Sequence, residues 1–209
     1  MTNEMASSRA SLEQEVYLRS LTGRLVGMYE FQGFQKVAII SYPDRICESI
    51  STAAAVAFFD KYGYSENRLS IFDYGDDIDS TARKIVEKDF DAVYIAFGGE
   101  QKMSEVSAMF RKTLDALRNA GFRKALLIHV RAWLATKQLS SIISDQNLKN
   151  YLRSLPEIRL FTADAAAKKF FFHRVRIDES GSVKLEKYAE ENITQEHADL
   201  LKISLPPPE

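Results

Sequence analysis

What this chain has little of narrows it first. One cysteine, Cys47, stands among 209 residues, so no disulfide can close within the chain, and a reducing, cytoplasmic setting is expected. Neither sign of charge is in excess, with 28 Lys and Arg against 29 Asp and Glu and a net charge of -1. That balance points away from nucleic acids and polyanions, whose partners present one sign in excess on a face. No apolar run approaches the ~18 residues that a membrane span needs. The segment from Met1 to Ser8 lacks the basic and then apolar stretch of a secretion signal, so no membrane association is expected.

Motifs that carry chemistry are missing as well. The chain has no G-x-G-x-x-G or G-x-x-x-x-G-K-[ST] phosphate loop, no G-x-S-x-G elbow and no H-E-x-x-H pair. His129, His173 and His197 are far apart and of different local context, which does not suit a metal site. No cofactor and no metal are expected on these grounds. The acids at Asp73, Asp76, Asp77 and Asp79 do not have calcium-loop spacing, and they read as turn and helix-start residues. Cys47, near the start of a helix, reads as a small core residue.

What is present is a rhythm of strands and helices. Apolar runs at 36–41, 68–73, 91–97 and 124–130 alternate with amphipathic stretches. Continuous apolar runs of this kind belong to parallel strands covered on both faces. The helix after the first run has Ile46, Ile50, Ala53, Ala54, Ala57 and Phe58 on one face and stops at Gly63. A flavodoxin-like or Rossmann-like three-layer α/β sandwich follows, with a mostly parallel sheet of about five strands. Residues 157–162 supply the fifth strand, and 163–169 read as a short helix.

Both ends of the chain depart from the rhythm. Residues 1–10 read as a polar lead-in. Residues 11–31 read as an amphipathic helix with Leu12, Val16, Leu21, Leu25 and Tyr29 as its apolar stripe and Glu13, Glu15 and Arg19 between them. The core spans 34–168. Residues 169–190 alternate apolar and polar around Glu179 to Ser182, a β-hairpin signal, a last helix covers 194–203, and 204–209 form a tail. One domain over 11–203 accounts for the whole.

In a doubly wound sheet, ligands bind at the carboxyl ends of the strands where strand order reverses. The residues expected there are Ser41, Tyr42, Asp44, Asp73, Asp76, Gly98, Gly99 and Arg131, with Arg45, Tyr74, Asp77, Glu100 and Trp133 beside them.

Three resemblances follow. Residues 34–41 and 68–73, with 91–99 and 125–128, resemble the two halves of STAS and SpoIIAA-like regulatory domains. The halves stand in reversed order and the phosphorylated Asp-Ser-Ser/Thr-Gly motif is missing. Ile39 to Tyr42, and Gly75 to Ile78 leading to Ala92 to Ile95, are similar to TIR domains. That similarity implies a glutamate for NAD cleavage at Glu105, outside its usual Ser-x-x-Trp-Cys-x-x-Glu-Leu context. Phe72 to Ile95 resembles one lobe of a type I periplasmic-binding fold.

With no catalytic constellation among these residues and amphipathic segments at both ends, the primary expectation is a regulatory module that binds a protein partner or a copy of itself. A TIR-like hydrolase using Glu105, or a sensor taking a small molecule at the strand ends, are the alternatives.

Overall fold

The computed structural model describes residues 10–75 and 77–204. Seven strands form one sheet: β1 (Val37–Ser41), β2 (Leu69–Asp73), β3 (Ala92–Ala96), β4 (Ala125–Ile128), β5 (Ile158–Asp164), β6 (Lys169–Ile177) and β7 (Val183–Asn192). Their spatial order is β2-β1-β3-β4-β5-β6-β7. The first five run parallel in the 2-1-3-4-5 order of flavodoxin-like sheets. β1, β3 and β4 are buried at every position, as strands covered on both faces must be.

The expected count of about five strands is exceeded because the hairpin joins the sheet. β6 pairs antiparallel with β5, and β7 with β6. The short helix expected over 163–169 does not form. β5 runs on to Asp164, whose Oδ1 accepts from the backbone N–H of Ala166 and Ala167 at 2.9 and 2.8 Å. That Asx turn, completed by Lys168 at φ 53°, satisfies the backbone that a helix would have used.

Helices cover both faces. α3 (Ile78–Glu87), α4 (Met103–Ala120), α5 (Val130–Ala135), α6 (Ser140–Ile143) and α7 (Gln146–Ser154) lie on one side, over a core that includes Ala38, Ile40, Val93, Ile95, Phe110 and Leu126. α2 (Arg45–Tyr62) lies on the other side with α1 (Leu12–Leu25), the π-helical turn Val26–Glu30 and α8 (Gln195–Ile203). There Val37, Ile39, Tyr94, Leu127, Phe58 and Phe170 share a second core. Side chains of opposite parity along β1 thus feed opposite layers. The cap of α3 is Asp77, which accepts from Ser80 N–H at 2.9 Å.

The first helix turns a different face inward from the one its leucines suggest. Its buried residues are Glu15, Leu18, Arg19, Thr22 and Gly23, continuing to Val26, Gly27 and Glu30 in the π-helical turn. Leu12, Val16, Leu21, Leu25 and Tyr29 are only half-buried. The cause is backbone contact with α2: a Cβ on Gly23 would stand 2.4 Å from the Ile50 carbonyl oxygen, and one on Gly27 2.1 Å from that of Ala54. Two glycines four apart let the helix axes approach as larger residues could not. The pairing of 23 with 50 and of 27 with 54 also makes α1 and α2 parallel neighbours.

The sheet ends on two unlike edges. β2 is five residues long and exposes Ile71. β7 carries Lys184, Glu186, Lys187 and Glu190, and its cross-strand ion pairs Arg176–Glu186 (3.0 Å) and Lys169–Glu190 (2.6 Å) give that edge a charged surface. No described helix is long and apolar enough to cross a membrane.

Candidate functional site at the strand ends

Strand order reverses between β1 and β3. The chain leaves β1 for α2 on one face and β3 for α4 on the other, which opens a crevice at their carboxyl ends. Asp44 fills it. As N-cap of α2 it accepts from Cys47 N–H at 2.7 Å, and its Oδ2 also accepts from Glu100 N–H at 3.2 Å and from the Gln101 side-chain amide. Gln101 Oε1 in turn accepts from Gly98 and Gly99 N–H at 3.1 and 3.2 Å. The backbone donors that would cradle an anionic ligand are therefore turned onto the protein's own side chains.

Both glycines of this loop are required by contact. Gly98 has φ +97°, and a Cβ there would meet Arg131 Cβ at 2.4 Å; a Cβ on Gly99 would meet Asp44 Oδ1 at 2.4 Å. Below them, Ser41 is fully buried, with Ser51 Oγ 3.0 Å from its hydroxyl and 2.8 Å from the Cys47 carbonyl.

α1 closes the crevice from the side. Buried Arg19 makes an ion pair with Glu15 at 3.2 Å, one helical turn earlier. With Cys47, Gly98, Gly99 and His129 it lines a narrow slot under the loop. Burial lowers the pKa of Arg19, opposed chiefly by Glu15. Burial likewise holds His129 well below the usual imidazole range, helped by the guanidiniums of Arg19 and Arg131, so it is neutral, and its Nδ1 accepts from Arg131 N–H at 3.2 Å. Arg131 is lowered to about 10, first by burial and then by Arg19, and it donates to Ser204 Oγ at 3.3 Å beyond the end of α8. Burial, then the charge of Asp44, pushes the Cys47 thiol far up. A thiol so held is not a nucleophile.

The structure places Ser41, Tyr42, Asp44, Gly98, Gly99 and Arg131 near one another at the strand ends. Tyr42 N–H donates to the Ala96 carbonyl, and its ring stacks on Tyr74 at 6.2 Å. Asp73 is paired in register with Ser41 but is exposed at the end of edge strand β2; Asp76 lies outside the described residues. Trp133 is buried in the core against α4 and α7 rather than facing the crevice. Glu105 is exposed and accepts from Lys102 N–H at 3.0 Å as part of the cap of α4. Among the described residues, no three His, Cys, Asp or Glu side chains are grouped to hold a metal ion.

Arg19, Glu15 and Gln101 are participants that the motifs do not mark. A signal for the first two exists: Glu15, Arg19, Gly23 and Gly27 recur every four residues, one row on the helix face that the glycines press against α2.

The fold is that of a doubly wound α/β domain with an antiparallel extension. The chain belongs to the family described as "Uncharacterized protein", whose model matches residues 15–200. No curated protein matches it significantly. Similar solved structures include the leucine-binding protein LivK from Thermotoga maritima (12% identity, TM-score 0.48, covering 72% of this chain and 39% of that one). A putative branched-chain amino acid ABC transporter protein from Rhodospirillum rubrum (19%, 0.48, 69% and 37%) and the LpoA C-domain from Haemophilus influenzae (12%, 0.44, 77% and 46%) are others. The chain spans less than half the length of each.

Proposed function

We propose that this chain is a protein-interaction module, acting by binding rather than by chemistry, through the outer face of α1 and α2. The observation that carries the reading is the Asp44 carboxylate. It occupies the seat at the switch point where a doubly wound sheet would take a ligand, and Gln101 covers the remaining amides. The groups that chemistry would need are committed to structure: the Cys47 thiol is held protonated, His129 is held neutral, and Glu105 caps α4. What this leaves open to partners is the seam where α1 and α2 meet at the surface, flanking the buried row of α1. Hollows of about 480 and 460 Å³ lie along it, joined at Ser20 and Ala53, and Val56, exposed at 53%, lines the first of them.

The test is thermal melting against nucleotides, amino acids and small carboxylates, run beside assembly measurements on Val56→Glu. Unchanged melting across the set, with assembly lost in Val56→Glu, is the expected pair of results. A rise of several degrees for one ligand, abolished by Gly99→Ala, would overturn it.

That second outcome belongs to a small-molecule sensor, which one observation favours. Arg19 Nε is buried with no hydrogen-bond partner among the described residues, in the side chain that lines the slot beneath Gly98 and Gly99. A small anion admitted by movement of Asp44 would satisfy it.

A further inference from the structure

We propose that the partner is a second copy of this chain, laid antiparallel across α2 about a two-fold axis beside Thr52 and Ala53. The inference rests on the reading that the α1–α2 face is where the module acts.

α2 presents Arg45, Ser49, Thr52, Val56 and Asp60 outward, at steps of four, three, four and four that keep them on one helical stripe. All are exposed or half-buried. The stripe is self-complementary in charge, with uncharged residues between its oppositely charged ends. Folded about the midpoint between Thr52 and Ala53, Arg45 meets Asp60, Ser49 meets Val56, and Thr52 meets Ala53. A copy related by a two-fold axis repeats every contact, so the charged pair forms twice, once at each end.

Between the charged ends α2 offers the groove mainly small uncharged residues, Ser49, Thr52, Ala53, Val56 and Ala57, with Glu48 and Arg24 also in the lining, and small residues let a second helix approach closely. Along its length the groove is continuous, the two hollows sharing Ser20 and Ala53. Among the described residues neither Arg45 nor Asp60 enters an ion pair within the chain. The helix dipoles argue for the same direction. α1 and α2 run parallel, so their like ends lie side by side, and only an antiparallel copy sets opposite ends against them.

A charge swap tests this geometry. Arg45→Glu alone places like charges opposite each other twice in the homodimer, and so does Asp60→Arg alone. Each is expected to weaken self-association by about tenfold or more at low salt. Mixed one to one, the two variants form a heterodimer in which both pairs are again of opposite sign, so the assembly returns. The double variant restores it within a single chain. Sedimentation velocity at micromolar protein reads all of these, and melting temperature confirms that the exposed substitutions leave the fold intact.

A wild-type chain that stays monomeric up to about 100 μM, a dimer indifferent to either reversal, or a mixture that fails to recover would each overturn the proposal. The broader reading fails separately. If wild type is monomeric but Val56→Glu releases a different bound protein, only the second copy falls. If no assembly of the chain responds to Val56→Glu, the α1–α2 face itself is wrong.

Discussion

Gly27 lies against the Ala54 carbonyl with so little room that a Cβ would stand 2.1 Å from the oxygen. Gly27→Ala must therefore push α1 away from α2 or distort the π-helical turn. Alanine's better helix propensity, worth about 1 kcal/mol over glycine, is expected to be outweighed. The net loss is of order 1–3 kcal/mol, as for other overpacked interiors. Urea unfolding of Gly27→Ala and Gly23→Ala measures it; a stabilised variant would mean that the two helices are not in backbone contact.

Asp44 satisfies donors from two elements at once, Cys47 N–H in α2 and Glu100 N–H in the loop after β3. Asp44→Ala is expected to cost about 1–2 kcal/mol, the range for a lost N-cap, with a further cost for the exposed loop amides. Asp44→Asn keeps an accepting oxygen and should recover most of the loss. Hydrogen exchange at Cys47 and Glu100, the two amides that donate to Asp44, distinguishes the two, speeding up only in the alanine variant.

Glu30 is fully buried, and neither carboxyl oxygen has a hydrogen-bond partner among the described residues. Burial raises its pKa well above the usual carboxylate range, with Arg159 pulling the other way. The folded state thus holds this proton more tightly than the unfolded chain does. Its contribution is full below the unfolded value of 4.5 and is lost as pH rises through the folded value. Glu30→Gln should match wild type near pH 4 and exceed it by at least about 1 kcal/mol at pH 8. A gap that does not widen with pH would contradict the burial of this carboxyl.

His197 titrates in the opposite sense. Burial lowers it to about 4, so the folded state resists a proton that the unfolded chain takes up near 6.5. The stability it contributes is full above 6.5 and is lost as pH falls toward 4, by about 2 kcal/mol at pH 5. His197→Gln, which can still reach Thr22 Oγ1, now 3.3 Å from His197 Nε2, should flatten that part of the profile. Because Glu30 and His197 slope oppositely between pH 4.5 and 6.5, each is read as the difference between variant and wild type.

The parallel strands were legible because burial on both faces leaves an unbroken apolar run, as at 37–40 and 92–96. The place of the hairpin was not. Its alternation announces two paired strands, but its docking on β5 is a tertiary pairing that no local pattern encodes. At 163–169, the run of alanines and lysines favours a helix locally, and the Asp164 turn overrides it. In α1 the leucines point to one face and the glycines to another, and the backbone contact decides. The strand-end residues of the site followed from a rule about sheets. Gln101 did not, since nothing in its spacing says that its amide closes on Gly98 and Gly99.

The interior of α1 and its π-helical turn depends on parts of the domain made long after it. The Glu30 and Gln32 carbonyls are met by Arg159, 129 and 127 residues further on, and Thr22 is met by His197. During synthesis this helix emerges before the rest of the domain, yet it must wait for the last strands and helix before its polar groups are answered. Loops of that length close late and slowly. The domain accordingly completes itself only once its final segment has been made, and the element that starts it is the one finished last.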